Sequence, residues 1–204
     1  MAMSSRDAIL KDLRRNLPPA VELPDLADED WITYDDPVAQ FREVLEAIGG
    51  RFFEVDSMDE ADAEIRRLDG WNEGPAHVSL VPGVGETTFD YAAVELPTDL
   101  QHVDFAVLPA HFAVAENGAV WVTPEDAAER TLNFLSQHVA YVIDRRNAPD
   151  GGLVHTMHRA YELADPRASA FSLFAAGPSK TADIEQSLVI GAHGARSAAV
   201  LFVG

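Results

Sequence analysis

The chain has 204 residues, of which 47% are hydrophobic, enough to bury one substantial core. Its 34 acidic and 15 basic residues give a formal charge of −19, which argues against a surface that follows a nucleic-acid backbone or an anionic membrane. Cysteine is absent, which excludes disulfides, thiolate nucleophiles and the usual cysteine-ligated zinc or iron–sulfur site. No long apolar stretch follows the charged start of the sequence, so we predict a cytoplasmic protein.

The start of the chain predicts a short helix and a linker. Ser5 can cap a helix whose apolar residues recur at helical spacing and which a Pro-Pro pair ends. The acidic, proline-containing stretch that follows is typical of a linker. We therefore predict an N-terminal extension over residues 1–36 and a single α/β domain over residues 37–204.

The predicted domain begins with alternating helices and strands. Asp36-Pro37 opens a helix, and Gly49-Gly50 ends it where a left-handed residue is needed. This helix-strand-helix-strand order favours a parallel sheet with crossover helices. The elements that follow the first helix are a strand over 51–55, a helix over 57–68 and a strand over 77–81.

The middle of the sequence changes character, with three short runs of β-prone residues over 104–108, 111–115 and 119–123. Asn117-Gly118 between apolar residues is a strong hairpin signal, because both central positions of that turn need positive φ. We therefore expect an antiparallel insertion here. The later pattern predicts a helix from about 125, a strand over 139–143, a helix over 151–163, a strand over 170–176, a short helix near 181–189 and a final strand over 198–203.

A glycine-bearing turn follows the predicted strand over 170–176 and leads into a predicted helix. Such strand-to-helix junctions are where ligands usually bind in open parallel sheets. Gly177 lets the backbone approach a ligand, and Ser179 and Thr181 supply hydroxyls. Lys180, one of two lysines in the chain, adds positive charge. The free N–H groups of the new helix favour an anionic group such as a carboxylate or phosphate, although a plain capped turn fits the same pattern.

Three further residues are candidates for chemistry, each with a surface role as the alternative. His193 lies between glycines in a loop, where its titration near neutral pH suits proton transfer, and Arg196 could bind a carboxylate through its planar fork. Glu116 at the hairpin tip could act as an acid, base or nucleophile. A His-x-x-His pair beginning at His155 has a spacing that suits a metal, but the apolar stripe of its helix turns that pair toward solvent, so we predict no metal site.

Two of these segments resemble a known family. The turn over 177–185, followed by Gly-Ala-His-Gly at 191–194, resembles the C-terminal signature of the lactate-utilisation protein C family (LutC/YkgG, with a LUD domain). The segment 112–120 resembles the family's second recurring block, an Ala-Glu-(Thr/Asn)-Gly turn between strands, and the order and distances agree. The departures are Ala195, where the family commonly has proline, and Lys180, where arginine is frequent.

This resemblance implies an α/β fold of the NagB/RpiA/CoA-transferase-like kind, with a mainly parallel sheet, flanking helices and an antiparallel hairpin. It implies a non-catalytic or co-catalytic subunit of an iron–sulfur-dependent system that oxidises lactate to pyruvate. The clusters would lie on LutA- and LutB-like partners, with no cofactor on this chain and a small anion at the 177–185 turn. One alternative is a stand-alone isomerase or CoA-transferase-like enzyme acting on a sugar phosphate or acyl-CoA, with Glu116 as its catalytic carboxylate. Another is an interaction module that docks through the N-terminal helix and linker.

Overall fold

The computed structural model describes residues 4–22, 31–181 and 188–204. The chain divides into two compact units, Met1–Asp30 and Trp31–Gly204. The larger unit contains a parallel sheet, a second, smaller sheet and a two-stranded ribbon. Among the helices of the described residues, none is long and apolar enough to cross a bilayer.

The described part of the smaller unit contains one helix, α1 (Ser5–Arg15), so the predicted helix is confirmed. Its cap is Ser4 rather than Ser5, because the Ser4 hydroxyl accepts the backbone N–H of Asp7 at 3.2 Å. None of the side chains of α1 is buried.

The centre of the larger unit is a five-stranded sheet. Along the chain its strands are β1 (Arg51–Val55), β2 (His77–Ser79), β3 (Phe105–Pro109), β6 (His138–Asp144) and β11 (Ser197–Val203). They lie side by side in the order β1-β11-β6-β3-β2, and every neighbouring pair is parallel. The predicted α/β class with a mainly parallel sheet is therefore confirmed. Because all five strands run the same way, their first residues lie along one edge, the amino edge, and their last residues along the opposite, carboxyl edge.

Three helices cover the two faces of this sheet: α2 (Pro37–Ala47), α3 (Met58–Arg67) and α4 (Ala127–Leu135). Leu45 of α2 and Leu132 of α4 belong to the apolar core on one face, and Ile65 of α3 belongs to the core on the other. As predicted, α2 begins after Asp36, whose carboxylate accepts two backbone N–H groups, and ends before Gly49, which has a φ of +84°.

A second, four-stranded sheet shares the apolar core of the α2 face. Its strands are β4 (Phe112–Val114), β5 (Ala119–Val122), β7 (Leu153–Val154) and β8 (Leu173–Ala175), in the order β7-β4-β5-β8. The predicted antiparallel hairpin is confirmed for β4 and β5. The prediction is wrong for the first of the three β-prone runs, because β3 pairs in parallel with β2 and β6 inside the main sheet. Four of its five residues are buried, and such continuous apolar runs are typical of parallel strands covered on both faces.

The turn of the β4-β5 hairpin differs from the expected two-residue type. Gly118 has a φ of +69°, whereas Asn117 is not among the residues with positive φ. The N–H of Gly118 donates to the carbonyl of Val114 at 3.0 Å, and the side-chain oxygen of Asn117 accepts the N–H of Ala119 at 3.1 Å. The connection is therefore a wider turn in which glycine is needed at one position and asparagine supports it through its side chain.

The predicted helix over 151–163 is shorter than expected. Gly151 and Gly152 both have positive φ, and the next two residues form β7. The helix, α5, spans only Met157–Leu163 and is capped by Thr156, whose side chain accepts a backbone N–H. Two consecutive left-handed glycines are incompatible with a continuous right-handed helix, which is why the longer prediction is wrong.

Candidate functional site

The glycine-bearing turn packs against the C-terminal end of α2. Gly177 has a φ of +65°, and a Cβ placed on it would lie 3.2 Å from both the Cγ1 and the carbonyl oxygen of Ile48. Pro178 is buried beside Gly49, where a Cβ would lie 3.6 Å from the proline ring. Because β1 begins two residues after Gly49, the turn lies at the amino edge of the parallel sheet.

This placement corrects the expected surroundings of the turn. The strand before it is β8, which belongs to the four-stranded sheet and not to the parallel sheet. After the turn come β9 (Lys180–Thr181) and its antiparallel partner β10 (Val189–Ile190), so both ends of the predicted 181–189 helix are strand. The middle of that predicted helix, residues 182–187, lies outside the described residues. The turn is therefore not a junction at the carboxyl end of a parallel strand.

The hairpin tip meets the same end of α2. A Cβ placed on Gly118 would lie 3.1 Å from the backbone N and Cα of Leu45, and 3.5 Å from the side chain of Ile48. The tip and the turn at Gly177, which are distant in sequence, therefore both contact Ile48. The structure thus gathers two of the segments singled out in the sequence at one place.

Glu116 occupies this tip as an exposed residue. Its carboxylate accepts the backbone N–H of Met157 at 2.7 Å, and its own N–H donates to the carbonyl of His155 at 3.0 Å. The negative charge at the first residue of α5 satisfies one of the free N–H groups of that helix. In this geometry Glu116 ties the hairpin to α5.

The loop that carries His193 is joined to the turn by backbone hydrogen bonds. The N–H of Ser179 donates to the carbonyl of Ala195, and the N–H of Gly191 donates to the carbonyl of Ser179, both at 2.9 Å. Gly194 faces Ser179 so closely that a Cβ there would lie 3.1 Å from the serine hydroxyl. His193, next to Gly194, is exposed.

The two other ligand candidates of the turn lie in the ribbon. Lys180 is exposed and pairs in register with Ile190, and partial burial lowers the pKa of its ammonium group. Thr181 is half-buried and pairs with Val189. The ribbon therefore brings Lys180 next to Ile190, a residue that lines the neighbouring cavity.

A cavity of about 450 Å³ opens at the amino ends of β1, β6 and β11, and we call it the amino-edge cavity. Arg196 is the predicted ligand residue that lines it. Four other polar or charged residues of its wall are important below: Arg51, Glu73, His138 and Ser197.

Four polar side chains in this wall form one hydrogen-bonded network. Arg196 donates to a carboxylate oxygen of Glu73 at 3.0 Å, and the Nε2 of His138 lies 3.3 Å from that same oxygen. The Nδ1 of His138 lies 2.7 Å from the hydroxyl of Ser197. His138 is 4% exposed, and its ring is covered by Gly70, where a Cβ would collide with it. A buried histidine with both nitrogens engaged is fixed in position, so it orients the serine and the carboxylate around it.

The charges of the cavity are balanced between two guanidinium groups and two carboxylates, those of Arg51, Arg196, Asp69 and Glu73. Both arginines are exposed, whereas Ser197 is partly buried. A guanidinium offers more donors than one carboxylate oxygen can use, so Arg196 can hold Glu73 and a ligand carboxylate together. The arrangement suits a small, singly charged anion that also carries a hydroxyl or carbonyl.

Comparison with known proteins defines the family of this chain. The model of the LUD domain family matches residues 86–203, which is more than half of the chain. This chain belongs to the LUD domain family.

Curated relatives carry the name Lactate utilization protein C. The relative from Geobacillus thermodenitrificans (strain NG80-2) is 24% identical over 239 aligned residues, which cover 98% of this chain and 97% of the relative. A second, from Bacillus pumilus (strain SAFR-032), is 29% identical over 101 residues, which cover 48% of this chain and 42% of the relative. In structure, the chain is similar to a DUF162 family protein from Deinococcus radiodurans, with a TM-score of 0.56, 16% identity, and coverage of 82% of this chain and 96% of that chain. At that identity the structural likeness shows the fold alone.

The LUD-matched segment contains only part of the amino-edge cavity. His138, Arg196 and Ser197 lie inside it, whereas Arg51 and Glu73 precede it. The sequence predicted Arg196 as a site residue, but it did not predict the other four polar residues of the cavity wall: Arg51, Glu73, His138 and Ser197. His138 and Ser197 had a usable signal, because each is a polar residue that opens an apolar strand, and the first residues of parallel strands share an edge. Glu73 had no such signal, since it follows a short turn without any pattern.

Proposed function

We propose that this chain takes part in lactate utilisation, as a subunit that binds a small carboxylate at the amino-edge cavity. The observation that carries the proposal is the alignment with a Lactate utilization protein C over 98% of this chain and 97% of the relative. Because the alignment spans nearly the full length of both proteins, the relative's named role is the best guide to the role of the whole chain.

The cavity supports this proposal by its chemistry. Arg196 and Arg51 supply guanidinium groups for a carboxylate, and the hydroxyl of Ser197 can pair with the α-hydroxyl of lactate or the carbonyl of pyruvate. His138 and Glu73 hold Ser197 and Arg196 in place through the hydrogen bonds described above. Because His138 is buried, the position of Ser197 needs little reordering when the ligand arrives.

In this proposal, partner proteins accept the electrons that are released when lactate is oxidised. The chain has no cysteine, so it has no thiolates with which to hold an iron–sulfur cluster in the usual way. We therefore propose iron–sulfur proteins as its partners, with this chain contributing binding and orientation of the carboxylate.

A growth experiment tests the role. A strain of the source organism that lacks the gene is grown with lactate or with glucose as the sole carbon source, and is complemented with the wild type, Arg196→Ala or Arg167→Ala. Arg167 is the matched control, because its side chain is 91% exposed and pairs only with the nearby Asp165 among the described residues. We expect loss of growth on lactate alone, with rescue by the wild type and Arg167→Ala but not by Arg196→Ala. Normal growth of the deletion strain on lactate would contradict the proposal.

The partners are tested by affinity purification of the tagged chain from cells grown on lactate, followed by assay of iron and acid-labile sulfide. We expect both in the copurified material, and neither in the chain purified alone. If the isolated chain instead turns over a sugar phosphate or an acyl-CoA, and Glu116→Gln abolishes that turnover, the stand-alone enzyme replaces the subunit.

A further inference from the structure

A second cavity, of about 550 Å³, lies at the opposite edge of the parallel sheet, and we call it the carboxyl-edge cavity. It begins at the ends of two parallel strands: Pro109 is the last residue of β3, and Leu80 follows β2. In open parallel sheets, ligands usually bind at the carboxyl ends of the strands. The volume is within the range of small-molecule sites.

The apolar walls of this cavity come from both sheets. Leu80 and Leu108 contribute from the parallel sheet side, and Val122 contributes from the four-stranded sheet. All three belong to or pack against the main apolar core, which gives these walls firm support. Leu108 and Val122 are only 2% and 4% exposed, so the partly exposed Leu80 and the exposed Pro109 present apolar surface that a planar ring can contact.

The cavity wall carries hydrogen-bonding side chains without a permanent charge, among them His111, Thr123 and Asn133. His111 and Thr123 face each other across the hairpin strands, with the imidazole Nε2 2.5 Å from the threonine hydroxyl. Partial desolvation lowers the pKa of His111 although the residue keeps exposed surface, which favours the neutral imidazole with one donor and one acceptor nitrogen. The side-chain oxygen of Asn133 accepts the hydroxyl of buried Tyr141 at 3.1 Å, which fixes this amide at the cavity wall.

The charged residues of the wall are both acids. Glu125 and Glu129 lie at the start of α4, where the carboxylate of Glu129 accepts the N–H of Glu125 at 2.7 Å. Among the residues that line the cavity, all of which the structure describes, none is lysine or arginine. A phosphate or carboxylate entering here would meet like charge without a counter-ion, whereas an uncharged ligand would not.

We propose that the carboxyl-edge cavity is a binding site for an uncharged nitrogen heterocycle. One flat face of the ring lies against Leu80 and Pro109, and its polar edge hydrogen bonds to His111. The acids at the start of α4 disfavour the anionic analogues of the same ring. This site is independent of the small-carboxylate site, because the two cavities share no residue and lie at opposite edges of the sheet.

The test uses pairs of ligands that share a ring system and differ in an anionic group: nicotinamide and nicotinate, adenosine and adenosine monophosphate, riboflavin and flavin mononucleotide. Each is titrated into the full chain by isothermal calorimetry and thermal shift. We expect at least one uncharged member to bind and to raise the melting temperature, and its anionic counterpart to bind at least about tenfold more weakly.

Two variants locate the binding. We expect His111→Ala and Thr123→Val to weaken the uncharged ligand about tenfold or more, since each removes one side of the polar edge. His102→Ala is the matched control, an exposed histidine in a short turn, and should leave binding unchanged. Melting temperatures of the free variants establish that each is folded.

Three results would overturn the proposal. No uncharged member of the three pairs binds; an anionic member binds as tightly as its uncharged counterpart; or binding survives both His111→Ala and Thr123→Val in folded protein. None of these results bears on growth with lactate, so failure here is distinguishable from failure of the proposed function.

Discussion

The two edges of the parallel sheet offer opposite chemistry. The amino-edge cavity is lined by paired charges, including Arg196 and Glu73, and lies beside the turn and loop singled out in the sequence. The carboxyl-edge cavity has apolar walls and a neutral polar edge at His111, with acids but no cations in its lining. The general rule for open parallel sheets points to the carboxyl edge. In this chain the segments that resemble the LutC family lie at the amino edge, so the rule alone would miss them.

The β4-β5 hairpin docks on α2 at the amino edge through Gly118. Alanine substitutions at two glycines test how much this contact contributes to stability. Gly118→Ala should lower the free energy of unfolding by about 3 kcal/mol, because alanine is strained at this φ and its Cβ would press on the backbone of Leu45. Gly83→Ala is the control at the carboxyl edge: its φ is +79°, but nothing lies within 4 Å of a Cβ there. Gly83→Ala should lower the free energy of unfolding by about 1 kcal/mol, from backbone strain alone. Equal losses in urea denaturation would contradict the docking of the hairpin.

The buried imidazole of the amino edge should depend on its serine partner. Ser197→Ala leaves the Nδ1 of His138 without its 2.7 Å partner in a buried position, which should cost roughly 1–2 kcal/mol of unfolding free energy. Ser197→Thr restores the hydroxyl and should recover most of that loss, since a β-branched residue suits a strand. If the alanine variant is as stable as the wild type, the network is not holding the cavity wall.

A carboxylate anchors a loop at the carboxyl edge. Asp62 accepts the N–H of Gly85 at 2.7 Å and pairs with Arg66 at 2.9 Å. Asp62→Asn should therefore cost roughly 1 kcal/mol at pH 7. Asp59→Asn on the same helix is the control, and should cost less than about 0.5 kcal/mol because Asp59 is exposed and acts only on the helix dipole.

The contribution of Asp62 should depend on pH with a definite sign. The hydrogen bond from Arg66 lowers the pKa of the carboxyl group below its usual 3.8. Its stabilisation is therefore fully present above pH 3.8 and is lost as the pH falls through the lowered value. The stability difference between wild type and Asp62→Asn should shrink below that pH in denaturation series, and a difference that grows on acidification would contradict the assignment.

The smallest effect is expected at Glu116. Glu116→Gln keeps an acceptor for the N–H of Met157 but removes the charge at the start of α5, so the loss should be about 0.5 kcal/mol. Growth on lactate should be retained, because the carboxylate is engaged by the helix and does not line the amino-edge cavity. Loss of growth by a folded Glu116→Gln protein would support the catalytic role predicted for Glu116 from the sequence.

The elements that could be predicted from sequence are those with local signals. Asp36 as a cap and Gly49 as a left-handed end define α2 within the chain itself. The strands with which a given strand pairs depend on residues that are distant in sequence. The apolar run at Phe105–Pro109 is adjacent in sequence to the hairpin, yet it pairs with β2 and β6, and its own sequence does not contain that choice. The two left-handed glycines at 151 and 152 were missed because the apolar spacing of the residues after them suggested a helix that began at Gly151, whereas α5 begins at Met157.

The site residues likewise divide into those with a local sequence signal and those whose partners are distant in sequence. Ser179, His193 and Arg196 carry recognisable patterns, and the structure places all three near the start of β11. Glu73 belongs to the same network as Arg196, but the contact joins residues that are distant in sequence and follows from the fold alone. The sequence therefore predicts the residues of a segment, and the structure is needed to give them their partners.

The most direct test of the amino-edge assignment is a thermal-shift titration of the purified chain with lactate and with pyruvate, using wild type, Arg196→Ala and Arg167→Ala. A ligand that binds only the folded state raises the melting temperature with concentration. We expect lactate or pyruvate to stabilise the wild type and Arg167→Ala, and to leave Arg196→Ala unchanged. If Arg196→Ala is stabilised as much as the wild type, or if sugar phosphates or acyl-CoAs stabilise the wild type while lactate and pyruvate do not, the amino-edge cavity is not a site for lactate or pyruvate.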